Sequence, residues 1–486
     1  MIFPEDFYKQ TKELFGEETE ALLVALEEPS PVSIRLNPAK VKVNQNFPTA
    51  FQPFLEKVSW SSFGQYLKER PSFTFDPLLH AGCYYVQEAS SMFVEQALRH
   101  AIRVLKEEDV CMLDLCAAPG GKSTLAASVL SEGSLLVANE LIHTRANILA
   151  ENMIKWGNAN VVVTQSDPSA FSNFTDFFDI ILTDVPCSGE GMFRKDPDSI
   201  LEWSKNNVKQ CAYRQRDILT NCWPALRAGG CLIYSTCTYN RQEDEDNVRW
   251  ICEGLGGSLL EIPVQKEWHI SGTMEKTSDG TTKPAMPVYR FLPHKTKGEG
   301  FFLALIQKNR DAQEKPFSER YPQAVKNSSY LKLKGNQGKY SAPKIPDSVQ
   351  SLLRNPNDFE FSFDRQGKII ALPKNQKTTI AKLEGKLRIV HAGIIIGEIK
   401  GKDLLPDVSL ALSTELNRES VQTYSLDLQQ SIAYLRGEAL VLPESCPSGW
   451  VLMIYEGYPL GWMKNIGNRA NNAYPNKWRI RSENPY

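Results

Sequence analysis

What this chain lacks narrows it before any motif is read. Its ten cysteines include no C-x-x-C pair, and none of its six histidines clusters beside them. That argues against a zinc ribbon and against a disulfide scaffold. Thiols kept reduced point to a cytoplasmic chain. No run approaches the ~20 apolar residues of a membrane span, so no membrane association is expected. The first residues, MIFPEDFYKQTKELFGEE, are acidic and broken, unlike a signal peptide. A strong charge of either sign is also missing, the formal net charge being −2. Overall charge therefore neither announces nor excludes nucleic acid, and any basic surface must be local. There is no internal repeat and no long low-complexity tract.

What is present is enough for large cores. The 486 residues are 42% hydrophobic and 10% aromatic, a length that implies roughly two to four domains. One helix is expected over 5–28, then a strand in PVSIRLNP (31–38), and a further helix from about 87. From 110 the pattern becomes regular. Apolar strand candidates fall at 110–116, 134–140, 160–165, 178–184, 231–236 and 300–308. Amphipathic stretches at 122–131, 143–156, 205–227 and 242–254 intervene. Strands alternating with helices predict an α/β fold with a parallel, doubly wound sheet. The 266–299 stretch reads as an exposed insertion before the last strand. After Lys308 a Lys-, Ser- and Asn-rich segment reads as a linker. From about 350 short Gly-punctuated strands return and suggest a small β-barrel-like module.

The chemistry concentrates in three places. MLDLCAAPGGKS (112–123) joins a strand to a helix, and its paired glycines let a ligand approach the backbone. It is not a nucleotide P-loop: five residues before Gly121 stands Cys116, where G-x-x-x-x-G-K-S needs glycine. Acids end the next strands: Glu140 could take ribose hydroxyls, Asp167 an adenine amino group, and Asp184 closes the fourth. Each acid alone could be a helix cap, but four successive strands ending in an acidic or Gly-rich site suit an adenosine ligand. The loop lacks G-x-G-x-x-G, which favours S-adenosylmethionine over a dinucleotide. Cys187 and Cys237 each end an apolar run on a turn. Alone, each would read as core packing; as a pair they suggest one thiol that attacks an electrophilic ring and one that handles a proton. The other cysteines read as packing, with Cys116 beneath its loop.

D-L-C-A-A-P-G-G-K-S, T-D-V-P-C-S-G-E-G-M-F and S-T-C-T resemble the three signature motifs of the Sun (NOL/NOP/Sun) family of RNA cytosine-C5 methyltransferases. H-A-G-C-Y-Y-V-Q-E-A-S-S (80–91), SIRLNP, the GEGFF strand (298–302) and the long C-terminal extension are similar to its bacterial RsmF-like branch, which acts on 16S ribosomal RNA. The resemblance implies a Rossmann-like methyltransferase sheet flanked by a small α/β N-terminal domain and a β-rich, PUA-like RNA-binding region. The boundaries are then 1–92, 93–309, a linker at 310–349, and 350–486. It also implies that Cys116, Ala117, Ala118, Pro119, Gly120, Gly121 and Lys122, with Glu140, Asp167 and Asp184, hold S-adenosylmethionine. Cys237 is then the nucleophile, Cys187 aids product release, and Asp184 also stabilises the base. The implied partner is 16S rRNA or the small ribosomal subunit, met by a monomer. Phe193, Arg194, Lys195, Arg35 and Asn37 are candidates for RNA contact. So are Lys464, Arg469, Lys477, Arg479 and Arg481, interleaved with Trp462, Tyr474 and Trp478, since cations near aromatics suit phosphate contact plus stacking. A transfer-RNA methyltransferase and a non-catalytic ribosome-assembly factor remain open as alternatives.

Overall fold

Glycine and β-branched residues set the element boundaries. The computed structural model describes the chain except residues 1–2, 42–53, 55, 197, 277–281, 311–344, 365, 402, 468 and 483–486. The expected helix over 5–28 is two, Glu5–Phe15 and Thr19–Glu27, because Gly16 adopts φ +58 and ends the first. Four short strands follow: β1 (Val32–Leu36), β2 (Glu56–Lys57), β3 (Gly64–Leu67) and β4 (Tyr84–Val86), ordered β2-β3-β1-β4. The helix expected from about 87 runs over Val94–Leu105, after a 3-10 turn.

The large sheet begins with β5 (Cys111–Asp114), β6 (Leu135–Asn139), β7 (Val161–Thr164), β8 (Phe178–Asp184) and β9 (Leu226–Thr236). These five are parallel, in the order β9-β8-β5-β6-β7. Their sequences are nearly continuous apolar runs because helices cover both faces. Met112, Leu136 and Val163 enter one core, Leu113, Val137 and Val162 the other. The strand order turns back on either side of β5, which opens a crevice at the C-terminal ends of β5 and β8, where ligands of such sheets bind.

β10 (Gly257–Leu260), β11 (Ser271–Lys276), β12 (Thr282–Phe291) and β13 (Phe301–Lys308) complete this half, with β13 antiparallel to β9 and β12 beside it. The 266–299 stretch is therefore not an exposed insertion. Trp268, Val288, Tyr289, Arg290 and Phe291 are buried. The alternation V-Y-R-F-L carries a sheet strand whose one cation hides its buried character.

Beyond the linker, β14 (Phe359–Phe363), β15 (Ile369–Pro373), β16 (Ile389–Ala392), β17 (Ile394–Lys400) and β18 (Asp403–Pro406) precede β19 (Gln422–Ser425), β20 (Gly449–Tyr455), β21 (Tyr458–Asn465) and β22 (Ala470–Asn472). The expected single barrel-like module is two four-stranded sheets, β14-β15-β17-β18 and β19-β20-β21-β22. β16 leaves both and pairs antiparallel with β7, extending the large sheet. Most of the linker, with its lysines at 331–344, lies outside the described residues. Among the described residues no helix is long and apolar enough to cross a membrane.

The position of β16 predicts that the catalytic half depends on the C-terminal half. Ile370, Leu372, Ile380, Leu383, Leu387 and Ala392 share one core with Leu113 and Val162. A chain cut after Asn309 bares that apolar face and the β7 edge, a template for aggregation. Size exclusion with dye binding should show aggregated or dye-binding protein, and a clean monomer would contradict the coupling.

Candidate active site

The crevice is built from the ends of β5, β6, β8 and β9. After β5 the chain makes a tight turn at Gly120, whose φ of +117 suits glycine. A Cβ on Gly121 would sit 3.2 Å from the Tyr85 ring, a tight contact that would press on that side chain. The loop is pinned from outside. Ala117 N donates to Asn139 O (2.8 Å), Arg145 Nη2 to Ala118 O (2.8 Å), and Asn152 Nδ2 to Pro119 O (2.8 Å).

A second brace comes from β1. Arg35 is fully buried and donates to Gln87 Oε1 (2.8 Å), Thr124 Oγ1 (2.6 Å) and Gly121 O (3.2 Å). Asn37, also buried, donates to Gly82 O and Trp156 O. Neither faces solvent, so the expectation that they touch RNA is corrected: they tie the N-terminal sheet to the loop and its helices. Every residue from Ser33 to Asn37 is buried, so this stretch has no solvent face to offer RNA.

The acids sit where the strands end, with different surroundings. Asp114 is buried; burial, first of all, pushes its carboxyl up to about 7, and Ser123 Oγ donates to it (2.6 Å). Glu140 accepts from Ile142 N (2.9 Å) and lies 3.5 Å from Arg145 Nη1. Asp184 accepts from Ser235 Oγ (2.9 Å) and stands 2.8 Å from Lys122 Nζ. Burial works against the Lys122 ammonium, yet Asp184, with Cys237 and Asp114, holds it above its ordinary value. Asp167 is exposed and accepts from Ser169 N and Oγ, which is a capping arrangement. The Cys116 thiol is pushed well up by burial, consistent with packing under the loop. The described residues hold no cluster of three metal-ligating side chains.

The two turns that carry the thiols are stitched together. Cys187 Sγ and Cys237 Sγ are 3.1 Å apart. Gly191 N donates to Cys237 O (2.8 Å), and a Cβ on Gly191 would come within 2.9 Å of that oxygen. The hydrogen bond to Cys237, then burial, pushes the Cys187 thiol well up. Either sulfur can donate across this contact. The structure thus brings together Lys122, Asp184, Cys187 and Cys237 along one crevice.

Sequence reasoning missed the polar floor beneath them. Glu190 accepts from Thr238 Oγ1 (2.7 Å), Tyr239 N (2.7 Å) and Trp203 Nε1 (2.9 Å), so one carboxylate joins both cysteine turns. Glu243 accepts from Ser188 N (3.0 Å), Gln215 Nε2 (2.7 Å) and Asn240 Nδ2 (2.7 Å), and burial pushes it up to about 7. Arg290 reaches Glu245 (2.5 Å), Asp244 (3.1 Å) and Tyr239 O (2.9 Å). Glu190, an acid between the glycines of C-S-G-E-G, was the detectable signal. Arg290 and Glu243 belong to stretches with no motif of their own.

Two further RNA-contact expectations are corrected. Phe193 is fully buried among Phe7, Trp203 and Tyr239, and Arg194 is spent on Glu28 O, Pro29 O and Gly298 O. Lys195 stays exposed. In the C-terminal sheet Trp462 and Tyr474 are core residues, and Tyr474 bonds His80. Trp478 is half-buried with Lys155 Nζ 5.3 Å from its ring, and Lys464 pairs with Asp403 (3.3 Å). These aromatics pack instead of offering free faces, whereas Arg469, Lys477 and Arg481 remain exposed.

Known proteins agree with this geometry. Residues 101–307 match the model of the 16S rRNA methyltransferase RsmB/F family, residues 3–89 the N-terminal domain of 16S rRNA methyltransferase RsmF, and residues 421–480 the methyltransferase RsmF PUA domain. The β14–β18 sheet lies outside all three matches. The chain is 31% identical to ribosomal RNA small subunit methyltransferase F of an Enterobacter species, over 98% of this chain and 95% of that protein. It is 30% identical to the protein of the same name from Salmonella arizonae, over 98% and 96%. A solved methyltransferase homologue from Pyrococcus horikoshii shares the fold, with a TM-score of 0.51 and 24% identity, covering 63% of this chain and 95% of that one. With strand order, crevice and near full-length similarity in accord, this chain belongs to the RsmB/F family of 16S rRNA methyltransferases.

Proposed function

We propose that this protein transfers a methyl group from S-adenosylmethionine to carbon 5 of a cytosine in 16S ribosomal RNA, through a covalent adduct between Cys237 and ring carbon 6. The observation that carries the reading is the 3.1 Å thiol pair set beside the Lys122–Asp184 ion pair. The cofactor fits the residues present. The side-chain-free cradle at Gly120 and Gly121 and the carboxylates of Glu140 and Asp184 suit a ligand with hydroxyl donors and a positive sulfonium. Cys116 through Lys122 would line the cradle, Glu140 would take the ribose, and Asp167 would lie toward the adenine. Bound there, S-adenosylmethionine supplies an electrophilic methyl group.

The chain's own residues do the rest. A flipped cytosine enters the crevice. The Cys237 thiolate forms the Sγ–C6 bond, and the electron pair of the C5–C6 double bond moves to carbon 5. Lys122 favours that thiolate by its charge. Asp184 accepts from the exocyclic amine and so holds the base, and its partner Lys122 offsets the negative charge that builds on the ring. Once carbon 5 has taken the methyl group, Cys187, its own proton having passed to solvent, acts as a base for the proton left on carbon 5, directly or through water. Loss of that proton restores the double bond and breaks Sγ–C6.

The domain proposal follows: an RNA-contacting unit at 1–92, the catalytic unit at 93–309, a linker at 310–349 and an RNA-binding region at 350–486. The protein acts as a cytoplasmic monomer. Labelled methyl transfer to small ribosomal subunits, free 16S RNA and bulk tRNA in parallel tests the reading. Label should enter ribosomal material. Label in tRNA alone would keep the chemistry and replace the substrate; none, with cofactor still bound, would favour a non-catalytic assembly role.

A further inference from the structure

Away from the crevice, a cavity of about 530 Å³ opens where four parts of the chain meet. Lys40 comes from the turn after β1, Arg354 from the segment before β14, Arg418 from the approach to β19, and Tyr458 from the start of β21. The active-site argument uses none of them. Lys40 Nζ donates to Lys155 O (2.6 Å) and Ala81 O (2.8 Å), which holds its charge at the C-terminal end of helix His143–Trp156. Arg354 donates to Thr414 O and lies 3.4 Å from Glu415. Arg418 donates to Gly457 O (2.8 Å) and is partly exposed. The only carboxylate among the lining residues is the exposed Glu419.

Three cations thus meet at one cavity, with Glu415 beside Arg354 and the exposed Glu419 as the acids at hand, and Lys40 and Arg418 each feel a neighbouring cation. Burial first, and Arg418 among the further causes, draw the Lys40 ammonium down to about 8. Burial first, and Arg354 among the further causes, lower Arg418. A gathering of like charge at a seam costs free energy that an anionic ligand reverses.

We propose that the Lys40, Arg354 and Arg418 cavity is a phosphodiester-binding site that grips the substrate RNA backbone at the junction of the N-terminal sheet with the two C-terminal sheets. The proposal rests on the RNA-methyltransferase reading. The two arginines bind the phosphate oxygens, and Lys40 supplies charge from behind. Tyr458 edges the cavity. Phosphate contacts of this kind set register and affinity without reading sequence.

The test is RNA binding by the full chain across a salt series, using a 16S transcript. Doubly substituted Arg354→Ala/Arg418→Ala protein should bind roughly 10- to 100-fold more weakly at low salt. Its slope of log affinity against log salt should become shallower by roughly 0.7–0.9 for each phosphate no longer gripped. Affinity for S-adenosylmethionine should stay at the wild-type value. Because both arginines also hold a backbone oxygen, single Arg418→Ala and Arg418→Glu variants are measured beside it, and Arg418→Glu should lose more. Unchanged affinity and slope in these folded variants would overturn the proposal. So would stabilisation of the wild type by inorganic phosphate that the variants lose while binding RNA normally, since the site would then serve a free anion. A wild-type chain that binds no ribosomal RNA would instead remove the reading beneath the proposal, an outcome visible without any variant.

Discussion

Cys237→Ala protein should bind S-adenosylmethionine normally and lose methyl transfer by about 10³-fold or more, because the thiol that adds to carbon 6 is gone. Cys187→Ala should fail differently. Addition proceeds, the carbon 5 proton stays, and elimination stalls. The expected product is a protein–RNA adduct that survives denaturation and runs as a retarded band. The two thiols lie 3.1 Å apart, so either could be suspected of the attack. The double variant separates them: the band given by Cys187→Ala should vanish when Cys237 is also replaced. A retarded band in the double variant, or none in Cys187→Ala, would reverse or dissolve the division of labour. The turns themselves should survive these changes, since Glu190 and the Gly191–Cys237 backbone bond hold them without either thiol.

The second large effect is expected at Arg290, a residue outside every motif. Its guanidinium is 4% exposed and sits between Asp244 and Glu245, both buried, while donating to Tyr239 O two residues after the nucleophile. Arg290→Ala leaves two buried carboxylates without their cation, a change that costs about 3–5 kcal/mol. Burial pushes the Asp244 carboxyl well up even with Arg290 opposing it. Without the arginine, Asp244 should hold a proton more readily still. Urea unfolding should show an earlier transition, and methyl transfer should fall as the S-T-C-T turn loses its anchor. Arg290→Lys keeps the charge but not the fork, so its stability should lie between the two. A variant as stable and active as the wild type would show that the ion cluster is decoration.

Arg290 also marks where sequence reading stops. The parallel strands were legible because burial on both faces forces continuous apolar runs, as in VVVT and FDIILTD. The cofactor loop was legible because glycine at 120 and 121 has a backbone reason that leaves a visible pair. The cysteines were legible only as strand-end residues beside those motifs. Arg290, Glu243, Gln215 and Asn240 carry no such mark, since a charged or amide side chain in sequence looks solvated until a partner is seen. Arg35 and Phe193 mislead the same way: cations and aromatics near functional motifs suggest RNA, yet packing claims them first.

Local pattern was enough for the α/β class, the run of parallel strands and helices from β5 to β9, the glycine-rich loop and the two strand-end thiols. Local periodicity and turn chemistry are written residue by residue. Tertiary structure alone decided that the thiols touch, that Lys122 pairs with Asp184, that β16 completes the catalytic sheet, and that Lys40, Arg354 and Arg418 share a cavity. Each of those facts joins residues far apart in the chain. Their proximity depends on how sheets close on one another, and no local pattern encodes it.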